Sequence, residues 1–162
     1  MKVLFVCLGN ICRSPAAEGV LKALLIQKQL DRVVEVDSAG TGDWHVGEKA
    51  DPRMRQAALT RGIELTSKGR QVCNEDFENF DWVIAMDSDN FRNLRSMSGA
   101  HRCQNLIQFR KLVNSRQIDG VPDPYYGGSE GFEEVLDILE EGCNELANQI
   151  IDKYESVNYA KQ

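Results

Sequence analysis

Val3-Leu4-Phe5-Val6-Cys7-Leu8-Gly9-Asn10-Ile11-Cys12-Arg13-Ser14-Pro15 joins an apolar run to a proline-opened helix through one short loop. Val3 to Val6 has no polar alternation, the pattern of a strand buried on both faces of a parallel sheet. Pro15 suits the first turn of a helix, where its missing N–H costs nothing. Ala17, Val20, Leu21, Leu24 and Leu25 then recur at a spacing that places them on one helical face.

The same alternation continues along the chain. Val33 to Val36 reads as a second strand, ending near Ser38-Ala39-Gly40, and Asp51-Pro52 opens a helix that Gly62 closes. Trp82-Val83-Ile84-Ala85-Met86 reads as a third buried strand, followed by a helix from about Ser88 that carries Phe91 and Leu94. Leu106 to Phe109 is a fourth strand. From Ser129 onward Phe132, Val135, Leu136, Leu139, Cys143, Leu146, Ala147, Ile150, Ile151 and Tyr154 form one long stripe, the core-facing side of a helix. Strands alternating with helices predict an α/β fold: a single domain over residues 1–162, with a central parallel four-stranded sheet flanked by helices on both faces. Such sheets bind ligands beyond the C-terminal ends of their strands, which is where the loop from Cys7 to Ser14 falls.

A chain of 162 residues with 42% hydrophobic and 27% charged residues can bury a core without a disulfide or metal staple. Its 19 Lys and Arg against 25 Asp and Glu leave a net charge of -6, without the broad basic footprint of a nucleic-acid binder. A small anion held at one local positive site remains compatible with that sign. Val3 to Val6 is too short for a secretory signal, and no stretch approaches the ~20 apolar residues of a membrane span, so a cytoplasmic protein without membrane contact is expected. The cysteines are Cys7, Cys12, Cys73, Cys103 and Cys143; no CxxC pair occurs, and His45 and His101 are far apart. Neither a zinc site, nor a cofactor, nor a disulfide framework is expected.

The loop after the first strand carries the chemistry. A short loop feeding a helix N-terminus points backbone N–H groups inward with the positive end of the helix dipole behind them. Gly9 and Asn10 are the residues that tolerate the positive φ of a curling loop. No Gly-Lys-Ser/Thr ending and no GxGxxG is present, so a nucleotide loop of the usual kinds is excluded. Instead Cys7 stands at the floor of the cradle, where positive surroundings favour its thiolate, and Arg13 offers a planar fork to two phosphate oxygens. Taken singly, each residue has an ordinary structural explanation. Together they describe a phosphate-binding loop, Leu8 to Ser14, with a nucleophile facing phosphorus.

Cys7 to Pro15 resembles the signature of the low-molecular-weight protein tyrosine phosphatases. Asp37-Ser38-Ala39-Gly40, Ala85-Met86-Asp87 and Asp123-Pro124-Tyr125-Tyr126-Gly127 are similar to segments of that family, in matching order along essentially the whole chain. The resemblance implies a phosphocysteine intermediate on Cys7, phosphate binding and transition-state stabilisation by Arg13, and loop-shaping hydrogen bonds from Asn10. It implies a hydrogen bond from Ser14 to the thiolate, although Ser14 equally suits a plain helix N-cap. Asp123 is implied as general acid and later general base; Asp-Pro alone reads as a turn, but the residue before a proline is biased to extended backbone that projects its side chain. Such a mechanism needs Cys7 ionised and Asp123 protonated together, hence a bell-shaped pH profile with an acidic optimum.

Trp44, Tyr125 and Tyr126 are then expected as the aromatic walls of the pocket, with loop packing as the alternative for Trp44 and a plain surface position for His45. Cys12 is a candidate redox partner that traps an oxidised Cys7 as a disulfide, if the Cα atoms lie within roughly 7 Å. Ser38 and Asp87 are expected in support, Asp87 as a helix cap or loop prop. The implied partners are a tyrosine-phosphorylated protein, such as a bacterial tyrosine kinase, and inorganic phosphate or oxyanion inhibitors in the loop. The chain is expected to be a monomer or weak homodimer. Arsenate reduction on the same fold would need two closely spaced further cysteines, whereas Cys73 and Cys103 are far apart. A phosphocysteine carrier would not need Arg13 with a distant acid, and a non-catalytic phosphotyrosine-binding module would not need Cys7 and Asp123.

Overall fold

The computed structural model describes residues 1–99 and 104–159; Cys103 and His101 lie outside them. Four strands, β1 (Lys2–Cys7), β2 (Glu35–Gly40), β3 (Trp82–Ala85) and β4 (Leu106–Gln108), pair in the order β2-β1-β3-β4. All three pairings are parallel, with Cys7 opposite Gly40 and Val6 opposite Ala85. The helices are α1 (Arg13–Gln27), α2 (Pro52–Thr60), the single turn α3 (Asp76–Asn79), α4 (Ser88–Ser98) and α5 (Ser129–Tyr159).

The unbroken apolar run of β1 is explained by burial on both sides. Val3, Phe5 and Cys7 join a cluster with Leu21 of α1, Met54 of α2 and Leu136 of α5. Leu4 and Val6 point the other way, into a cluster with Phe77, Phe80, Val83 and Leu94. Helices therefore cover both faces, as expected. Asp51 caps α2 by accepting from Arg53 N at 2.8 Å, and Gly62 follows the helix in the left-handed region at φ +75°. No described helix is long and apolar enough to cross a membrane.

Several boundaries differ from the sequence reading. Val33 and Val34 precede β2: Val34 N donates to Leu30 O, so they belong to the turn leaving α1, and the ladder begins at Glu35. Met86 lies beyond β3, although its N still donates to Val6 O. Phe109 opens a 3-10 turn, Phe109–Leu112, instead of extending β4. Tyr154, expected in the buried stripe of α5, is 45% exposed; the fully buried stripe reaches Ile150, with Ile151 packed at its edge.

Because β1 pairs directly with β3, the C-terminal ends Cys7 and Met86-Asp87 lie side by side at one edge of the molecule, and the loops after them share that crevice. Phe5 is fully buried one turn of the pleat below Cys7, its ring centroid 6.2 Å from that of Phe109. Phe5→Ala is expected to cost about 3–5 kcal/mol of stability, read as a fall in the urea midpoint at unchanged slope.

Candidate active site

Cys7 ends β1 and is buried; α1 starts six residues later at Arg13, with Cys12 at the N-cap position and no side-chain cap bond. Ser14 is therefore not the N-cap. It lies inside the first turn, with Oγ 3.0 Å from Cys7 Sγ. Asn10 takes the left-handed conformation (φ 55°) that lets the loop curl, and its backbone N donates to Cys7 Sγ at 3.3 Å. Gly9 does not adopt a positive φ. Its lack of a side chain serves a close approach instead, since a Cβ there would stand 3.2 Å from the His45 ring.

The Asn10 side chain ties the loop to the sheet. Nδ2 donates to Ser14 Oγ (2.8 Å) and Ser38 Oγ (3.0 Å), and Oδ1 accepts from Arg70 N (3.0 Å). Ser38 in turn donates to the buried Glu18 at 2.5 Å, whose other oxygen accepts from Lys22 Nζ at 2.5 Å. Neither Glu18 nor Arg70 was singled out in the sequence. A charged residue one turn after Ser14, on the apolar side of α1, is the signal that could have found Glu18.

Arg13 is only 4% exposed. Nη1 donates to Asp87 Oδ2 at 2.6 Å and to Val121 O at 3.2 Å, and Nη2 donates to Asp123 Oδ2 at 3.0 Å. Burial works against the guanidinium charge, but Cys7, Asp123 and Asp87 around it outweigh burial and hold its pKa above the ordinary value. Asp87 has two tasks: its Oδ1 caps α4 through Asn90 N at 2.7 Å while Oδ2 receives Arg13. Asp123 is aimed by its own loop, Oδ1 accepting from Tyr125 N at 3.1 Å.

Cys7, Arg13 and Asp123 open into a cavity of about 240 Å³ with Leu8, Ile11, Trp44, Tyr125 and Tyr126 on its walls. Larger hollows, about 540 Å³ beside Met1 and Ile26 and about 630 Å³ between α2 and α5, have no cysteine on their walls. Trp44 is 67% exposed and folds over Gly42, where any Cβ would collide with its ring. Tyr125 and Tyr126 meet edge to face at 4.9 Å, Tyr126 with 95% of its surface free. His45 lies at the surface as expected and also lines the cavity, half-buried, with Nδ1 2.7 Å from Glu48 Oε2. Among the described residues no cluster of His, Cys, Asp and Glu has the arrangement of a metal site.

Cys12 is buried and lines the same cavity as Cys7. Burial, reinforced by the neighbouring Asp51 carboxylate, pushes its thiol up to about 12. Burial raises the Cys143 thiol further still, on the core side of α5, and Cys73 lies exposed beside Asp76.

A family model for the low molecular weight phosphotyrosine protein phosphatases matches residues 2–156. A putative low molecular weight protein-tyrosine-phosphatase from Synechocystis is 44% identical over 154 residues, covering 93% of this chain and 96% of that relative. A protein tyrosine phosphatase from Entamoeba histolytica, solved with Hepes in its active site, superposes with a TM-score of 0.92 at 43% identity, covering 95% of this chain and 99% of its own. A Drosophila arginine phosphatase superposes with a TM-score of 0.86 at 34% identity, covering 93% and 98%.

Two buried sulfurs at one cavity differ sharply in surroundings, and alkylation should separate them. Iodoacetamide at neutral pH is expected to modify Cys7 well before Cys12 or Cys143, read by peptide mass mapping; Cys12 reacting first would contradict the environment described for it.

Proposed function

The chain belongs to the low molecular weight phosphotyrosine protein phosphatases, cysteine-dependent hydrolases, and on that footing we propose that it hydrolyses protein phosphotyrosine and aryl phosphate monoesters through a phosphocysteine on Cys7. The observation that carries this reading is the convergence of Cys7, Arg13 and Asp123 on one aromatic-walled cavity.

In the proposed first step the loop N–H groups and the Arg13 fork bind the phosphoryl oxygens. Those oxygens compete with Asp123 for Nη2, which releases the acid from its ion pair. The Cys7 thiolate attacks phosphorus in line; the S–P bond forms as the bond to the aryl oxygen breaks, and protonated Asp123 gives that oxygen its proton. In the second step water attacks phosphorus, Asp123 takes a proton from it, and the S–P electron pair returns to sulfur. Ser14, 3.0 Å from Sγ, is assigned the hydrogen bond that receives this charge. Asn10 and Ser38 hold Ser14 and the loop in place, and Asp87 orients Arg13.

Leu8, Ile11, Trp44, Tyr125 and Tyr126 offer apolar and aromatic surface on which an aryl leaving group can stack. Tyrosine-phosphorylated proteins, a bacterial tyrosine kinase among them, are the partners this implies, with phosphate and oxyanions as competitors in the loop. We assign the enzyme to the cytoplasm, whose reducing conditions keep a nucleophilic thiol such as Cys7 free. The domain is taken as residues 1–162, acting as a monomer or as a weak homodimer through its exposed aromatics. For redox control, peroxide converts the Cys7 thiolate to a sulfenic acid, and the Cys12 thiol displaces water from it to give a disulfide that a thiol reductant reverses.

The test is p-nitrophenyl phosphate hydrolysis with EDTA present from pH 4.5 to 8. Turnover is expected to follow a bell with an acidic optimum, to vanish in Cys7→Ser, and to fall about 10²–10³-fold in Asp123→Ala. A folded, reduced wild type without turnover, or one that prefers phosphoarginine to phosphotyrosine, would overturn the reading. Activity lost to mild peroxide is expected to return with dithiothreitol in the wild type and to return poorly in Cys12→Ala.

A further inference from the structure

We propose that Arg53 is a positioning residue: through the first turn of α2 it fixes the loop of Asp123 relative to the loop of Cys7. The inference rests on the reading of Asp123 as general acid.

The two loops are secured very differently. The loop of Cys7 is continuous with β1 on one side and α1 on the other. Asp123 lies in the irregular connection between the 3-10 turn and α5, which is pinned to the sheet at Val121, whose N donates to Met86 O at 2.8 Å. Beyond Val121, Tyr125 is held at both of its backbone polar atoms. Its N–H aims the Asp123 carboxylate, and its carbonyl accepts from Arg53 Nη1 at 3.1 Å.

Arg53 is itself fixed on the far side. Nε and Nη2 donate to the two oxygens of Asp51 at 3.0 and 2.8 Å, and the guanidinium stands 4.8 Å from the Phe132 ring and 5.4 Å from the Tyr125 ring. The backbone N of Asp51 donates to Ile11 O at 2.7 Å, inside the phosphate-binding loop. An unbroken path of hydrogen bonds therefore runs from Ile11 through Asp51 and Arg53 to Tyr125 and Asp123. Three donors of one planar fork are used in two directions, and a lysine has no equivalent geometry.

Hydrogen bonds from Arg53 outweigh burial and hold the Asp51 carboxyl below its ordinary range. A depressed carboxyl keeps its pairing above the ordinary carboxylate range and loses it only as pH falls through the lowered value, so the bracket persists on the acidic side where turnover is expected. Arg53 is 48% exposed while its partner Asp51 is only 8% exposed, so Arg53→Lys, which keeps a cation beside that carboxylate, is the variant expected to leave global stability nearly unchanged. Its effect is therefore on geometry, and it should appear in catalysis with little change in melting.

The experiment compares kcat/KM for p-nitrophenyl phosphate, a good leaving group, with that for phenyl phosphate, a poor one that depends more on proton donation. Wild type, Asp123→Ala, Arg53→Lys, Arg53→Ala and the Arg53→Ala/Asp123→Ala double variant are compared, with inhibition by inorganic phosphate and melting temperature alongside. Against the 10²–10⁴-fold worth of a general acid, Arg53 variants should lose about 3-fold on p-nitrophenyl phosphate and about 30-fold on phenyl phosphate. Phosphate inhibition should stay within about 2-fold, and the double variant should be little worse than Asp123→Ala alone. Equal losses on both substrates, no loss, or losses that multiply with Asp123→Ala would overturn the proposal. If Asp123→Ala itself fails to discriminate the two substrates, the general-acid reading falls and the bracket with it; if only the Arg53 variants fail to, the bracket alone falls. Should Arg53→Ala not fold, Arg53→Lys, which keeps the charge, decides.

Discussion

Arg13 is a buried cation beside a buried sulfur, and the rest of the site is arranged around keeping it charged and partnered. Removing an ion from water costs several kcal/mol unless its hydrogen bonds are replaced. Here the replacements are three groups from two distant segments: Asp87 at the N-cap of α4, and the Val121 carbonyl and Asp123 carboxylate in the connection before α5. None of the three is near Arg13 in sequence. The parallel pairing of β1 with β3 brings the first within reach, and the bond from Val121 N to Met86 O brings the others. The ion therefore ties the sheet order to the geometry of the site: a different strand order would leave the guanidinium buried and unmatched.

What the sequence made legible follows the range of the forces involved. β1, its loop and α1 could be read because burial on both faces, a proline at a helix start and an apolar stripe are local patterns. α3 could not be read, since a single turn has no period to detect. Ser14 was ambiguous because a hydroxyl serves a cap and a thiolate equally well, and only the distance to Cys7 separates the two. Gly9 was assigned the wrong reason: positive φ is one demand for glycine, and close approach by a distant ring is another. His45, Glu18, Arg70 and Arg53 share one property, in that each is defined by partners far along the chain or by a cavity that exists only after folding. Asp-Pro alone signals only a turn, and it is the fold that brings the Asp123 carboxylate to Arg13.

The small cavity and the exposed aromatics divide the work of recognition. The floor is polar and buried, the walls are apolar, and Trp44 and Tyr126 stand out from the surface. In the proposed reading a phosphate sits at the floor and a ring between the walls, which leaves the remainder of a macromolecular substrate on the outer surface, where the chain's acidic balance acts.

The chain of side chains from Glu18 to Cys7 also fixes the direction in which each hydrogen points. A carboxylate only accepts, so the hydroxyl hydrogen of Ser38 turns toward Glu18 and leaves its lone pairs for Asn10. Arg70 N holds the Asn10 oxygen, which commits both amide hydrogens to Ser38 and Ser14. Ser14, already accepting, is left with one hydrogen to give, and Cys7 Sγ is nearer to it than the Ala39 carbonyl. Three consecutive side chains, Ser38, Asn10 and Ser14, are thus oriented between the buried Glu18 carboxylate and the Arg70 N–H. The dipoles facing the sulfur are aligned before any substrate arrives, so charge can leave sulfur for phosphorus and return to it with almost no reorientation of its surroundings.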